Sequence, residues 1–236
     1  MLIAFIIITA LSAALISGNA TNESVASTDV YVCDRSVAAD IVMIIDKSGF
    51  TEPFHYQQIE FVHDLLYNIR ISEEEAHVAL VKFGTQAEIV SDFVTARLQI
   101  HYKVQAIDVA EMERTYGETG LEKAVELFEG KTARSNASRL LIIDSDGHWD
   151  DFSTPSLNKL KNELGVFIVA AVGMANPQIP YLQKLVTRPE DIYVLDRYLG
   201  HFSGVQSIDV LKRFLRLVVV KGLPSQQCVK QGKMDE

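Results

Sequence analysis

The chain lacks the features that mark nucleic-acid-binding proteins and the common classes of enzyme. Its 22 lysines and arginines are outnumbered by 31 acids, and the net charge is −9 at pH 7. Non-specific binding to nucleic acid needs clustered basic side chains, so this balance argues against it. The sequence has no Gly-x-Ser-x-Gly motif, no P-loop and no dinucleotide fingerprint, and its six histidines lack metal-ligand spacing. We therefore expect a protein that is not an enzyme.

Charged side chains are absent from the first twenty residues. The apolar run MLIAFIIITALSAALIS is followed by small residues at Gly18 and Ala20. This pattern predicts a secretory signal peptide over residues 1–20 and a secreted, extracellular protein without a membrane span. A retained membrane anchor is the alternative, although the run is short for crossing a bilayer.

Cysteine is scarce, and its two positions, Cys33 and Cys228, flank the predicted folded region. The pair agrees with export, but sequence alone cannot show pairing, so two free thiols stay possible. Asn22 and Asn136 begin Asn-X-Ser/Thr sequons and are predicted glycosylation sites. A third sequon, at Asn19, would be removed with the signal peptide.

Between these flanks, continuous apolar strands alternate with amphipathic helices. We predict a flexible lead-in at 21–32, one domain at 33–228 and a C-terminal tail at 229–236. Within the domain the patterns predict three buried strands, a hairpin, a short final strand and six helices. The buried strands are predicted at 40–46, 139–147 and 166–174, the hairpin at 76–83 with 87–93, and the final strand at 191–195. The helices are predicted at 53–69, part of 95–110, 121–128, 157–164, 179–187 and 205–220. This order predicts an α/β, doubly wound, mostly parallel sheet with one antiparallel edge strand and helices on both faces.

Two of the apolar strands run directly into acids. The stretch IVMIIDKSGF (41–50) ends in Asp46 and Ser48, and RLLIIDSDG (139–147) contains Asp144 and Asp146. In such a fold ligands bind beyond the carboxyl ends of the strands, so Asp46 and Asp146 should share one crevice. A glycine-bearing loop, RTYGETGLEKA (114–124), should join them. Carboxylates with hydroxyl groups form a hard-oxygen site that suits Mg²⁺ or Mn²⁺.

These three segments, in this order, resemble the von Willebrand factor type A (vWA) domain, also called the integrin inserted domain, over residues 33–228. The resemblance implies a Rossmann-like vWA fold and a metal-ion-dependent adhesion site (MIDAS) for Mg²⁺ or Mn²⁺. Asp46, Ser48 and Asp146 match metal-ligand positions of the family. Phe50 and Gly117 stand where a serine and a threonine ligand are expected, and Thr119 matches a threonine that is not normally a direct ligand. The flanking cysteines resemble members in which a disulfide ties the domain's two ends.

The family resemblance implies a secreted adhesion or protein-binding module whose partner is an extracellular protein. Thr119 and Asp144 are candidate supports of the metal site. His148, Asp150 and Asp151 are either replacement ligands or a solvated loop. Phe50 and Trp149 are candidate partner contacts, although Trp149 could equally pack against its own loop.

Three alternatives stay open. The domain could bind a partner without metal, build a matrix through self-association, or act as a hydrolase with Asp46 as nucleophile.

Overall fold

The computed structural model describes residues 31–32, 38–48, 54–108, 114–151, 155–173, 177–194 and 229–230. Eight strands and five α-helices occur in this part of the chain, together with a π-helical turn at Lys159–Glu163 and a 3₁₀ turn at Pro189–Asp191. The strands are β1 (Tyr31–Val32), β2 (Ala39–Asp46), β3 (Ala76–Phe83), β4 (Ala87–Val94), β5 (Ser138–Asp144), β6 (Phe167–Val172), β7 (Ile192–Val194) and β8 (Val229–Lys230). The helices are α1 (His55–Asn68), α2 (Arg97–Gln105), α3 (Gly117–Glu129), α4 (Pro155–Asn158) and α5 (Ile179–Leu185).

Six of the strands form one sheet in the order β4-β3-β2-β5-β6-β7. All neighbours are parallel except β3 and β4, which form the antiparallel hairpin expected at one edge. Strand β2 lies at the centre, and its residues Ile41–Ile45 are at most 1% exposed. A strand buried on both faces reads as a continuous apolar run, which is the pattern seen in the sequence. The predicted doubly wound fold is confirmed.

Apolar side chains cover both faces of the sheet, because odd and even residues of each strand point in opposite directions. Ile41, Met43 and Ile45 pack in one core cluster with residues of α1 and α2. Val42 and Ile44 pack in the other, with residues of α3, α4 and α5. The helices therefore lie on both faces of the sheet. Ligands in such a fold bind beyond the strand ends, where polar residues are found.

Some boundaries differ from the sequence prediction. The helix expected over 157–164 is α4 followed by the π-helical turn, in which the Leu164 amide donates to the Lys159 carbonyl at 2.9 Å. Residues 31–32, assigned to a flexible lead-in, and 229–230, assigned to a tail, are instead paired strands. The helix expected at 205–220 lies outside the described residues.

The chain divides into two units, residues 34–227 and a second unit of residues 1–33 with 228–236. In the second unit β1 and β8 pair antiparallel, Tyr31 with Lys230 and Val32 with Val229. Valine and tyrosine favour extended backbone, which the Ser/Thr/Asn-rich composition of the preceding residues concealed. In the described part of the chain, none of the helices has both the length and the apolar character needed to cross a membrane.

Candidate functional site

Strands β2, β3 and β5 end side by side, at Asp46, Phe83 and Asp144. We call this the carboxyl edge of the sheet. Parallel pairing carries every strand to this edge in the same direction, so residues 46–48, 84 and 145–151 emerge there together. The loop before α3 joins them, since the Tyr116 amide donates to the Gly84 carbonyl at 2.8 Å. The three segments singled out in the sequence therefore meet.

Asp46 is fully buried, and hydroxyl and amide groups surround its carboxylate. Oδ1 accepts the Ser48 amide at 3.0 Å, and Oδ2 accepts the Ser145 hydroxyl at 2.7 Å. Burial raises the pKa of Asp46 to about 6; the Asp146 carboxylate adds to the rise, while the hydrogen bonds from Ser145 and Ser48 oppose it. Within the described residues no lysine, arginine or histidine forms an ion pair with Asp46. Its negative charge is therefore poorly compensated.

Ser145 holds this arrangement together, although the sequence analysis did not select it. Its hydroxyl donates to Asp46 and accepts the Gly147 amide at 3.1 Å and the Trp149 indole N–H at 2.9 Å. One small buried side chain thus fixes a carboxylate of β2 to the loop that follows β5. The sequence feature that could have identified Ser145 is its position between two aspartates in IIDSDG.

Lys47 is a second residue that the sequence analysis missed. The side chain is 1% exposed, and its ammonium contacts Nδ1 of His55 and donates to Oε1 of Gln58 at 3.2 Å. Burial lowers the pKa of Lys47 to about 8, although the charges of Asp144 and Asp46 oppose the change. Gln58 also donates to the Asp46 carbonyl at 3.0 Å. The first turns of α1 are in this way tied to the end of β2.

Asp146 lies across the carboxyl edge from Asp46 and is also buried. Its Oδ1 accepts the His148 amide at 2.9 Å, and its Oδ2 lies 3.0 Å from Nδ1 of the same residue. The His148 side chain is partly exposed, and its Nε2 lies 2.9 Å from Nε2 of Gln178. His148 therefore contacts Asp146 from the rim of the crevice.

Thr115 is a further site residue that the sequence analysis overlooked. It is fully buried, yet its hydroxyl has no hydrogen-bond partner in the described residues. Its main chain is fixed to the loop after β5, because its amide donates to Asp150 Oδ2 at 2.8 Å and its carbonyl accepts the Asp150 amide at 2.7 Å. A buried, unpaired hydroxyl is costly, and it is understandable where a ligand completes it.

Gly117, where the resemblance placed a missing threonine, occupies a different environment. A Cβ built on Gly117 would overlap the indole ring of Trp149. That ring is half-buried and makes edge-on contacts with Phe83 and Tyr181, each at 5.5 Å between ring centres. Position 117 cannot accommodate a threonine beside Trp149. The hydroxyl on this loop is instead supplied two residues earlier, by Thr115.

Asp150 and Asp151 bind the start of α3 rather than standing free in the loop. Asp151 Oδ1 accepts the Gly117 amide at 2.8 Å, and its Oδ2 accepts the Glu118 amide at 3.3 Å. Carboxylates stabilise helix N-termini because the first amides have no partner within the helix. Together with the Asp150–Thr115 bonds, these contacts hold Thr115 in position.

The other predicted site residues have the following places. Asp144 is 1% exposed and interacts electrostatically with Lys47. The Thr119 hydroxyl donates to the Tyr116 carbonyl at 2.7 Å, so its described role is local. Asn136 is exposed in the turn before β5. Phe50, Cys33, Cys228 and Asn22 lie outside the described residues.

The donor set at the carboxyl edge fits a hard cation. Two carboxylates (Asp46 and Asp146) and two hydroxyls (Ser48 and Thr115) occur there, and all four groups present oxygen atoms. Among the described residues no group of three or more His, Cys, Asp or Glu side chains could hold a metal. Carboxylates alone therefore do not make a metal site there, and the hydroxyl oxygens of Ser48 and Thr115 would have to complete it. Such oxygen ligands suit Mg²⁺ or Mn²⁺.

Comparison with known sequences points to the same fold. The von Willebrand factor type A domain family matches residues 40–209. The collagen alpha-6(VI) chain of Mus musculus is 24% identical over 185 residues, 74% of this chain and 8% of that protein. Cuticlin-6 of Caenorhabditis elegans is 22% identical over 184 residues, 75% of this chain and 31% of that protein. The chain thus spans less than a third of either relative.

Solved structures with this fold include two metal-containing proteins. Proximal thread matrix protein 1 from the mussel byssus, with a zinc-occupied MIDAS motif, has a TM-score of 0.67 at 18% identity, covering 80% of this chain and 50% of that one. Manganese-loaded TRAP protein of Plasmodium vivax has a TM-score of 0.63 at 16% identity, covering 79% and 76%. The family match spans more than half of the sequence, and the observed sheet is the one that the family predicts. The chain belongs to the von Willebrand factor type A domain family.

Proposed function

We propose that this chain is a secreted, extracellular adhesion or protein-binding module without catalytic activity. Its partner is a protein that docks on the carboxyl edge. Asp46, Ser48, Thr115 and Asp146 would hold a divalent cation there, Mg²⁺ or Mn²⁺. When bound, the cation would supply a Lewis-acidic position that a carboxylate of the partner can occupy.

The observation that carries the metal clause is the unpartnered hydroxyl of Thr115. It is buried, and the main chain around it is fixed by hydrogen bonds to Asp150 and Gly84. Asp46 adds a second argument, since a buried carboxylate that forms no ion pair within the described residues costs free energy. A cation would offset both costs.

The chain's own residues orient the donors. Ser145 and the Ser48 amide fix the plane of the Asp46 carboxylate, and Gln58 fixes its main chain. Asp150 and Asp151 set the position of Thr115 relative to α3. A site positioned on strand ends by such contacts needs little rearrangement when it binds.

The relatives support the extracellular setting and the type of partner. The two relatives are named a collagen chain and a cuticlin, and the mussel protein is named a thread matrix protein. The signal peptide at 1–20, the Cys33–Cys228 disulfide and glycosylation of Asn22 and Asn136 belong to the same proposal. Residues 33 and 228 directly follow and precede the paired strands β1 and β8 in the sequence, which favours the disulfide.

Manganese binding tests the metal clause. Purified protein is titrated with Mn²⁺ by electron paramagnetic resonance, and Thr115→Val is compared with Thr119→Val. Both variants delete a threonine hydroxyl, one just before α3 and one in its first turn, but that of Thr119 already bonds the Tyr116 carbonyl. We expect at least a tenfold loss of Mn²⁺ affinity for Thr115→Val and little change for Thr119→Val. If wild-type protein takes up no Mn²⁺ at millimolar concentration, the metal clause is wrong.

The alternative is that the partner binds without metal, through a face that includes Phe50 and Trp149. Partner binding that does not require the metal would favour it. Once a partner protein has been identified, a chelator distinguishes metal-bridged binding from binding through the aromatic face. Metal-bridged binding should be lost with EDTA and in Asp46→Ala and Asp146→Ala. Binding through the aromatic face should survive all three.

A further inference from the structure

Helices α1 and α2 are joined by a pair of histidines. Nδ1 of His63, on α1, lies 2.6 Å from Nδ1 of His101, on α2. The two rings are inclined to each other by 14°, and their centres are 4.9 Å apart. The ring centres are farther apart than the two Nδ1 atoms by about the width of one imidazole ring, so the rings meet edge to edge rather than face to face. This is the geometry of a direct hydrogen bond between the rings.

The protonation state of the two rings decides whether this bond can form. A hydrogen bond between two imidazole nitrogens needs a hydrogen atom on one of them and a lone pair on the other. Two neutral rings satisfy this condition when one carries its hydrogen on Nδ1 and the other on Nε2. A pair with one added proton still keeps one acceptor. When both rings are protonated, each Nδ1 carries a hydrogen atom, no acceptor is left, and two positive charges lie side by side.

The surroundings on the two helices oppose protonation of the pair. Burial lowers the pKa of His63, although the charge of Asp64 opposes the change. Burial also lowers the pKa of His101, and the positive charges of His63 and Arg97 lower it further. The pKa of Asp64 is itself raised, first by burial and then by the charge of Glu60. Both rings are therefore uncharged at neutral pH, and the bond between them is intact.

Other charged groups near these helices are engaged elsewhere or lie in water. Lys82 of β3 pairs with Glu88 of β4 and with Asp108, which follows α2, each at 3.2 Å. Asp92 of β4 accepts a threonine hydroxyl from the turn after α3. Lys103 of α2 is exposed, so solvent screens its charge. The response of the pair to acid is therefore set mainly by the two rings and by the charges beside them on α1 and α2.

The other described contacts between the helices keep their character in mild acid. Ile100 and Val104 of α2 are fully buried in a core cluster that also contains residues of α1. At the start of α2, the Arg97 guanidinium donates to the Ile69 carbonyl at 2.8 Å and lies over the Tyr67 ring at 5.6 Å. Acid should therefore weaken the contact at the histidines without detaching α2 from the domain.

We propose that His63 and His101 form an acid-sensitive contact between α1 and α2. The contact is closed at neutral pH, where one ring donates to the other, and it opens once both rings carry a proton. Helix α1 also bonds to the end of β2, because Gln58 donates to the Asp46 carbonyl. The helix whose contact opens in acid is therefore the one that borders the candidate metal site, although the contact itself does not depend on a metal.

The direction of the pH effect follows from the lowered pKa values. Histidines of the unfolded chain titrate near the ordinary value of 6.5, and the two folded rings titrate at lower pH. The unfolded chain therefore binds more protons in mild acid. The contribution of the pair to stability is complete above pH 6.5 and is lost as the pH falls through the folded pKa values. Because the burial of Asp46 acts in the opposite direction, a local measurement is needed.

Hydrogen–deuterium exchange of α2 tests the contact. Rates are measured at pH 7.5 and pH 5.0 in EDTA, corrected for the intrinsic pH dependence of exchange, and compared with those of α3 on the other face of the sheet. Relative to α3, we expect the protection of α2 to fall about fivefold at pH 5.0, as for the loss of one hydrogen bond. His101→Gln should abolish this fall, because a glutamine amide can donate to His63 or accept from it in either protonation state.

His77→Gln is the matched control, since His77 is a half-buried histidine of β3 that contacts the Glu73 carbonyl. It should keep the wild-type fall. Nitrogen-15 NMR of the wild-type rings at pH 7.5 should show one hydrogen on Nδ1 and the other on Nε2, and two rings of the same tautomer would overturn the proposal. So would equal protection of wild-type α2 at both pH values, or a fall in His101→Gln as large as in wild type.

Discussion

Strand β2 carries a fully buried aspartate at each end, and the two are treated in opposite ways. Asp40 lies near the start of the strand, where Arg134 donates to it twice, through its main-chain amide at 2.6 Å and through Nε at 2.8 Å. The same guanidinium also reaches the Ala39 and Glu75 carbonyls at 2.8 and 2.9 Å. Asp46, at the other end, receives only hydroxyl and amide hydrogen bonds.

The two ends of this one strand therefore differ in how the buried charge is stabilised. At the beginning of β2 the negative charge is neutralised by a residue of the chain, and the paired groups join β2, β3 and the segment before β5. At the end of β2 the chain supplies oxygen ligands, and the nearby Lys47 ammonium contacts His55 and Gln58 rather than forming an ion pair with Asp46. Groups that destabilise a fold are often found at the positions where the protein binds a ligand.

Removing the guanidinium should have the largest effect on this comparison. Arg134→Met would leave Asp40 buried without its positive partner, and breaking a buried ion pair in this way costs about 3–5 kcal/mol. Urea unfolding monitored by circular dichroism measures the loss. Arg139→Met is the control, because Arg139 has a single described bond, to the Leu164 carbonyl. Equal losses in the two variants would mean that Asp40 is not specially stabilised.

The charge of Asp46 should make metal-free protein less stable as the pH rises. Its pKa is about 6 in the folded protein and near the ordinary 3.8 in the unfolded chain. The folded state therefore binds more protons between these values, so stability is full below pH 3.8 and is lost as the pH rises through 6. From pH 5 to pH 7 this one group should lower the free energy of unfolding by about 1 kcal/mol.

Urea unfolding in EDTA at the two pH values measures this change. Asp46→Asn should remove the contribution of this one group to the difference, because asparagine does not titrate. Saturating Mn²⁺ at pH 7 should raise the stability of the wild-type protein, since a ligand that binds only the folded state stabilises it. An identical pH dependence in wild type and Asp46→Asn would assign the effect to other groups.

The smallest expected effect concerns the two threonines at the start of α3, Thr115 and Thr119. In metal-free protein, Thr115→Val removes a buried hydroxyl that has no described partner, so stability should stay the same or rise by a few tenths of a kcal/mol. Thr119→Val deletes the bond to the Tyr116 carbonyl and should cost about 1 kcal/mol. Thermal unfolding in EDTA gives both values. A clear loss for Thr115→Val would show that its hydroxyl serves stability rather than a ligand.

Sequence patterns predicted the sheet and half of the site. The run Ile41–Ile45 and the acids that follow it identified a central buried strand, and the structure places Asp46 and Asp146 at one edge as expected. The hairpin 76–83 with 87–93 was also correct, since β3 and β4 differ from it by one residue. These features depend on local periodicity and on the shared direction of parallel strands, both of which are visible in the sequence.

Other features depended on contacts between distant segments. Counting along RTYGETG pointed to Gly117, but the Trp149 ring fills the space beside it, and Thr115 carries the buried hydroxyl. Asp150 and Asp151 were predicted to be either replacement ligands or part of a solvated loop, yet they bind the start of α3 across more than thirty residues. The hydrophobic periodicity of a sequence does not show which loops contact each other in the folded protein.

The sequence by itself determined the alternation of buried strands with amphipathic helices, and hence the α/β fold, because burial imposes a repeat on each element. It also determined that acids follow the ends of two strands. Only the tertiary structure decided which charges are neutralised and which hydroxyl is left without a partner. The pKa of Asp46 and the unpaired state of Thr115 depend on groups brought close by folding, and electrostatic and hydrogen-bond energies depend on distance in space rather than on separation along the chain.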